Sequence, residues 1–516
     1  MADWRLEWEW AGYSGTARDI DPQWIQRSAL YSDDAGTRTV TVRWSPGVDV
    51  AALVAAGHHP MSGWGTLYAG DRVIVSGPWR RPSYGQAGEL LEVQIAETDS
   101  DDRSVIPREG SVFGFPSQEV YDARLARFLE PYQSFGALAK RVLAVTFANS
   151  SRKAKGAIYP MVWGSPGSST VPGSPGLLVD SVSVPRRLLI AGHRVEAATV
   201  TIWGPEYGTT SSSKQGNGLV SQSARPVLHD LDDKGNEYAY VTFDTVLVVD
   251  TGQIAPYPDA RFWVSWTGGQ ALPGGAGDVL SSLYAASTLR VSSGAWSAMR
   301  SVLNRWTLAG YISELAAPAE IARRAILPIL PVQVVMGDDG LEPVLWPWLD
   351  PNPAVVFDLL AGPGFARAGR VTYSDRDPVA EITVKYRFDP ESDDYSDAVV
   401  VSAGLTPYGQ VSAALFGSLA RGSDVDASWL WDAATAQDIA AAQLVSRAVP
   451  RRQARYQCDP DTYGLGGLFE LRPGMVVRLS DEAIGLNRAV AVVAEVEQTP
   501  VEMSVVIELR DDSLTG

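Results

Sequence analysis

The sequence predicts a mainly β, multidomain chain with helical insertions, and three observations carry that prediction. The stretch from Gly467 to Leu509 holds three β-rich runs, Leu471 to Leu479, Val490 to Val496 and Met503 to Leu509, divided by Pro/Gly/Asp/Asn turn signals. Near the other end, Leu6, Trp8 and Trp10 alternate with Arg5, Glu7 and Glu9, a period of two that buries one face of a strand. The composition, with 48 Gly, 33 Pro and 17 Trp among 516 residues, favours turns and aromatic strands over a helical bundle. At roughly 100–200 residues per domain, the length corresponds to about three or four units.

The elements follow in order. Thr39 to Trp44 repeats the period of two, and Asp71 to Ser76 and Leu90 to Ile95 add further strands, with Gly77-Pro78 and the Pro82 to Gly88 loop read as the turns between them. Such a set suggests a small barrel or sandwich and bounds a first domain at 1–116. Ser117 to Tyr132 has helical spacing through Val120, Leu125, Phe128 and Leu129 and ends at Pro131, so 117–154 is read as a helical connector packed on a neighbour. A small β domain at 155–266 holds strand candidates in Leu188 to Ile202, with His193 near the middle, and in Glu237 to Val249. Pro166 to Pro175 is too rich in Gly, Ser and Pro to be an element.

From Gly277 the period becomes helical: Val279, Leu280, Leu283 and Tyr284, then Trp296, Met299, Val302 and Leu303, then Ile321, Ala325 and Ile326. Asp278 and Pro318 are placed like helix starters, giving a helical insert of three short helices at 267–330. Val332 to Met336 and Pro343 to Trp348 return to β around a turn at Asp338-Asp339-Gly340, and Ile382 to Tyr386 alternates within a β domain at 331–431. Asp432 to Val449 is the clearest helix, with a stripe of Ala436, Ile439, Ala440, Leu444 and Val445, Asp432 to cap it and Pro450 to stop it. With the closing strands it makes up 432–516, and Pro473-Gly474 is a natural two-residue turn there.

No motif for chemistry survives a check of its spacing. His58 and His59 are sequence neighbours and face different ways, His193 and His229 stand alone, and no His-Glu-x-x-His occurs, so the expectation is no metal site. His229 to Glu237 looks like a calcium loop, but Lys234 and Val241 fall on ligand positions, which favours a turn between strands. Asp389 to Asp394 reads as a solvated loop. Ser165 is followed by Pro166, which lacks the N–H that a nucleophile elbow needs. Gly268-Gly269 and Gly274-Gly275-Ala276-Gly277 lack the Gly-Lys-Ser/Thr ending of a phosphate loop. No catalytic residue, cofactor or metal is therefore expected. Of the Trp residues, Trp346 and Trp348 are read as sharing one face of a strand and Trp263 and Trp266 as facing opposite ways; core or interface is their expected place.

The formal net charge of −17 disfavours specific binding of a phosphate backbone. Cys458 is alone, so no internal disulfide is expected. The N-terminus shows no secretion signal and no window reaches about 18 apolar residues, so stable membrane insertion is not expected.

Several of these segments are similar to a known family. Tyr68 to Arg80 (YAGDRVIVSGPWR), Lys155 to Gly164 (KGAIYPMVWG), the Ala-rich helix followed by Arg447 to Cys458 (RAVPRRQARYQC) and Leu471 to Leu486 (LRPGMVVRLSDEAIGL) resemble the hub region of bacteriophage tail-tip and baseplate proteins. That family includes lambda-like central tail proteins, contractile baseplate hubs and gene transfer agents. The resemblance implies two tube-like β-barrels per subunit, one at each end of the chain, and a homotrimer whose six barrels form a pseudo-sixfold ring. Such a ring would join the hexameric tail tube and distal tail proteins to threefold fibre or spike components, hold the C-terminus of the tape-measure protein and close the DNA channel until host contact. It implies assembly in the host bacterial cytoplasm and a place in the virion, at the tail tip or baseplate, with DNA passing through the lumen unbound. Lambda-like proteins continue into receptor-binding regions, so here adhesion is expected on another polypeptide. The alternative from another class is a Trp-rich multidomain β protein that binds or cleaves polysaccharide.

Overall fold

The computed structural model describes residues 4–97, 158–243 and 262–509 apart from short stretches, the longest being 206–218 and 459–470. The helix expected over 117–132 lies outside the described residues, as does the whole 117–154 connector.

The N-terminal module consists of β1 (Trp4–Trp10), β2 (Tyr13–Ala17), β3 (Ile25–Leu30), β4 (Thr37–Trp44), a short helix α1 (Val50–Ala55), β5 (Trp64–Ala69), β6 (Arg72–Tyr84) and β7 (Leu91–Glu97). All neighbours are antiparallel, in the order β2-β1-β5-β6-β7-β4-β3. The period of two in β1 becomes a buried row of Trp4, Leu6, Trp8 and Trp10, which meets Val40, Val42 and Trp44 from β4. The Gly77-Pro78 pair is not a turn, contrary to the sequence expectation. It lies inside β6, which pairs with β5 up to Pro78 and with β7 from Trp79 on. A residue without an N–H is tolerated where the strand changes partners at a barrel corner, and the next amide, Trp79 N–H, bonds to Gly63 O at 2.9 Å.

The middle of the chain opens with β8 (Met161–Trp163), β9 (Ser174–Asp180), β10 (Arg186–Ala191), β11 (Thr199–Pro205), β12 (Leu219–Ser221), β13 (Arg225–Pro226), β14 (Leu228–Leu231), β15 (Glu237–Phe243) and β16 (Phe262–Gly268). Eight of these strands form a sheet in the order β12-β11-β16-β9-β10-β15-β14, with β13 beside β11. Leu188 to Ile202 is thus two strands rather than one. Gly192 breaks it, because its N–H turns to Pro160 O at 2.7 Å and a Cβ there would come within 2.4 Å of Tyr159. The Gly/Ser/Pro loop also ends earlier than expected, since β9 begins at Ser174.

Helices α2 (Ala276–Ala286) and α3 (Ser293–Leu303) then pack their expected apolar positions, except Val302, which is 40% exposed, into the largest core, with Tyr284 stacked on Trp296 at 5.0 Å. Asp278 is not the starter of α2; Gly275 occupies the cap, and Asp278 instead binds Arg300 and Asn304 of α3. Pro318 does start a helical turn, but the third helix runs on as a π turn over Ala322–Ile326. Strand β17 (Gly310–Ile312) pairs with β8, and β18 (Val332–Gly337) pairs with β19 (Gly340–Leu345) across the expected tight turn. Trp346 and Trp348 share no strand face: β19 stops at Leu345 and Pro347 starts a 3-10 turn.

The last third holds β20 (Phe357–Leu360), β21 (Phe365–Arg367), β22 (Thr372–Tyr373), β23 (Val379–Asp389), β24 (Asp394–Ser402), helix α4 (Pro407–Phe416), β25 (Arg421–Asp426), helix α5 (Ala433–Arg447), β26 (Arg452–Cys458), β27 (Val476–Asp481), β28 (Leu486–Gln498) and β29 (Met503–Leu509). Asp432 caps α5 by accepting from Thr435 N–H at 2.7 Å, and the stripe of Ala436, Ile439, Ala440 and Leu444 is buried against β23 and β24. The remaining strands make a C-terminal module ordered β20-β27-β28-β29-β26-β21. A tight hop from Gly362 to Phe365 joins β20 to β21, so the strand at one end of this order leads directly into the strand at the other. Pro473-Gly474 forms the turn that launches β27: Met475 N–H reaches Arg472 O at 3.2 Å, with Gly474 at φ +86°.

Candidate assembly interface

The two barrel-like modules share an edge. Strand β28 is 13 residues long, and its two halves do different work on the same side. Leu486 to Val492 pairs with β27, and Glu495 to Gln498 pairs with β3 of the N-terminal module in the register Glu495–Leu30, Val496–Ala29, Glu497–Ser28 and Gln498–Arg27. Between the halves, the ladder to β29 skips Ala494, a bulge. A bulge bends and twists its strand, which turns β28 away from β27 and toward β3. One continuous 14-stranded sheet results, whose strand order runs from β2 at one end to β21 at the other.

The outer face beside this seam is a charge ladder. Arg455 reaches Glu495 at 3.5 Å and Glu497 at 3.8 Å, across Ser504 on the strand between them. Arg451, from the arginine-rich approach to β26, ties three elements together. Its guanidinium bonds the Val445 and Ser446 carbonyls at the end of α5 and pairs with Glu508 of β29 at 3.2 Å.

Tryptophans build the core on the other side of the seam. Trp79 lies 5.4 Å from Trp44, 6.0 Å from Trp10 and 6.4 Å from Trp8. Twelve of the 17 Trp are buried, which assigns most of the excess to cores and leaves Trp64, half exposed, without a neighbouring exposed Trp row among the described residues. Trp263 and Trp266 are both buried, and only Trp266 joins the core formed with Val200 and Val264.

The histidines are placed as hydrogen-bond acceptors. His59 Nδ1 accepts from Met61 N–H at 3.2 Å, His193 Nε2 from Val162 N–H at 3.1 Å and His229 Nε2 from Val195 N–H at 3.0 Å, while the His58 backbone closes α1. Ser165 donates to Gly269 O at 2.8 Å. Gly274 is pressed against Gly164 and Leu308 O, and Gly275 against Asn304, so this glycine cluster serves close packing. Asp230 of the calcium-like stretch pairs with Arg187, while residues 232–234 and 236 lie outside the described residues. Asp389 and Asp394 face each other across the turn between β23 and β24. Among the described residues no group of three His, Cys, Asp or Glu is arranged to hold a metal, and no helix is long and apolar enough to cross a membrane.

Burial, helped by the nearby His229, holds His193 below its ordinary value of 6.5. Its lowered value means the unfolded chain binds the proton more readily, so stability is lost as pH falls from about 6.5 toward the folded-state value. In His193→Gln, whose side-chain oxygen can take the Val162 N–H, that part of the fall is expected to vanish. Melting temperature followed from about pH 8 to about pH 5 in both proteins checks it.

No family model matches the sequence and no curated protein matches it. Solved structures similar to the chain include tail and virion proteins. The 43 kDa tail protein of prophage MuSo2 from Shewanella oneidensis is 10% identical, with 99% of this chain and 100% of that one covered and a TM-score of 0.35. A chain of the virion of a native gene transfer agent particle is 13% identical over 70% of this chain and 86% of its own, with a TM-score of 0.41. A tail protein from Neisseria meningitidis MC58 is 9% identical over 99% and 98%, with a TM-score of 0.36.

Proposed function

We propose that this chain is a structural subunit of a phage-like tail tip or baseplate, a hub that assembles as a homotrimer. The observation that carries the reading is the β3–β28 pairing, which sets two barrel-like modules edge to edge in one sheet. A subunit built this way offers two modules per copy, so three copies closing a ring present six and meet a sixfold tube on one side and threefold components on the other. The sequence resemblance of Tyr68 to Arg80 and of Leu471 to Leu486, one in each module, supports the same reading. On this reading the partners are the tail-tube and distal tail proteins, the tape-measure C-terminus and a central fibre or spike, and the ring closes the DNA channel until host contact. The negative charge of the chain suits a channel wall that does not hold passing DNA.

Light scattering of the purified chain, with negative-stain images of the same sample, tests this. The expected result is a threefold mass and a ring with a central opening. A monomer that binds or degrades glycans would sink the hub in favour of the polysaccharide class.

A further inference from the structure

Strand β24 lies at the outside of the three-stranded sheet β24-β23-β25, and its far edge meets no strand among the described residues. Helix α5 closes one face of this sheet, against Ile382, Val384, Val401 and Val425. Among the described residues no strand pairs with the edge itself. Exposed edges are ordinarily blunted by shortness, a bulge, a lysine or a proline. Nine residues long, β24 carries no Lys, Arg or Pro and keeps one register with β23 from Asp394 to Ser402. The ladder is interrupted only opposite Arg387, whose carbonyl takes the Ser396 hydroxyl at 3.1 Å. Its second half, Ala398-Val399-Val400-Val401, is strand-forming, and Val400 is 48% exposed.

The sheet that carries this edge is acidic, with β25 lying across β23 from β24. The described residues of β23, β24, β25 and the β23–β24 turn carry seven carboxylates, Asp393, Asp394, Asp424 and Asp426 among them, against Lys385, Arg387 and Arg421. Two of those cations are engaged within the sheet: Lys385 lies 2.7 Å from Asp424, and Arg387 lies 2.8 Å from Asp397. The field reaches Tyr395, whose phenol is pushed up to about 12 by burial and by the charges of Asp426 and Asp393.

We propose that the free edge of β24 takes up an extended, Lys/Arg-bearing segment of a different polypeptide by strand addition. Backbone pairing along Asp397 to Ser402 would supply the contacts, and the carboxylates would select a cationic partner. A second copy of this chain is a poor occupant. Two β24 edges set together would bring both acidic rims into contact, and each chain already carries −17. The inference rests on this edge and its charge, and it holds whatever larger assembly the chain enters.

The test uses the full chain and a labelled ten-residue peptide of alternating Val and Lys, titrated at about 0.15 M salt, where weak surface attraction is screened. Binding is expected, with slowed amide exchange along Asp397 to Ser402. N-methylation of alternate peptide residues removes backbone donors and is expected to weaken binding about tenfold. Ala398→Lys with Val400→Lys, two exposed positions whose change leaves the melting temperature in place, is expected to do the same. The proposal is overturned by no binding, by equal binding of the N-methylated peptide, by equal binding of a Val/Glu peptide, or by a homodimer that the lysine variants dissolve.

Discussion

Trp79→Ala is expected to cost about 3–5 kcal/mol, the largest effect of any single change in the N-terminal module. The ring is 1% exposed and touches Trp8, Trp10 and Trp44. Its bed is made of glycine: a Cβ at Gly63 would lie 2.2 Å from the ring, and one at Gly65 would lie 2.9 Å from Nε1. With no side chains at those two positions, little can move in to fill the hole, which places the cost toward the upper end. The indole N–H has no hydrogen-bond partner among the described residues, so Trp79→Phe gives up packing only and is expected to recover most of the loss. Denaturant midpoints read by near-ultraviolet dichroism check both. An alanine variant within about 1 kcal/mol of the parent would mean that the four rings do not form one core.

Asp481→Ala is expected to be the most damaging change in the C-terminal module, at about 3 kcal/mol. The carboxylate is 4% exposed and fully used. One oxygen accepts from Tyr456 OH at 2.9 Å and faces Arg367 at 3.4 Å, and the other accepts from Ala483 N–H at 3.0 Å. Tyr456 is fully buried and stacked on Phe365 at 4.7 Å. Burial, with Asp481 as its acceptor, raises the Tyr456 phenol far above its ordinary range. Alanine therefore leaves a buried hydroxyl and the Arg367 guanidinium without their shared acceptor. Because the Arg367 side chain is 25% exposed, water recovers part of its loss, which keeps the cost below that of a fully buried pair. Asp481→Asn keeps an acceptor and is expected to cost less. In a double-mutant cycle, Asp481→Ala with Tyr456→Phe should cost less than the two single changes added, since the second removes the hydroxyl that the first leaves unpaired. Strict additivity would show that the contact contributes nothing.

Where local pattern decides structure, the chain could be read directly. The alternation in Trp4 to Trp10 became a half-buried strand, and the stripe in Asp432 to Val449 became a capped helix, because period and cap are properties of neighbouring residues. Gly77-Pro78 and Asp278 depart from the sequence expectation for one reason: each looks like a local signal and serves a distant partner, β7 through the barrel corner and Arg300 through an ion pair. Helix α4 and strand β25 carry only a weak local pattern, and the parallel pairing of β25 with β23 is long-range. The Val399-Val400-Val401 run was visible as a strand former, but nothing in the letters places it at a sheet edge.

By itself, then, the sequence determined the mainly β class, most of the strands, the cap and stripe of α5 and the absence of any spaced catalytic motif, since all of these follow from residue type and short-range period. Tertiary structure decided how the strands share partners. Only folding brings residue 29 to residue 496, bends β28 at Ala494 so that it serves two modules, and places β24 at a sheet edge that no strand covers among the described residues. Strand pairing is made through backbone groups that every residue carries alike, so the choice of partner is written in the packing of whole faces and in bulges rather than in any local run of side chains.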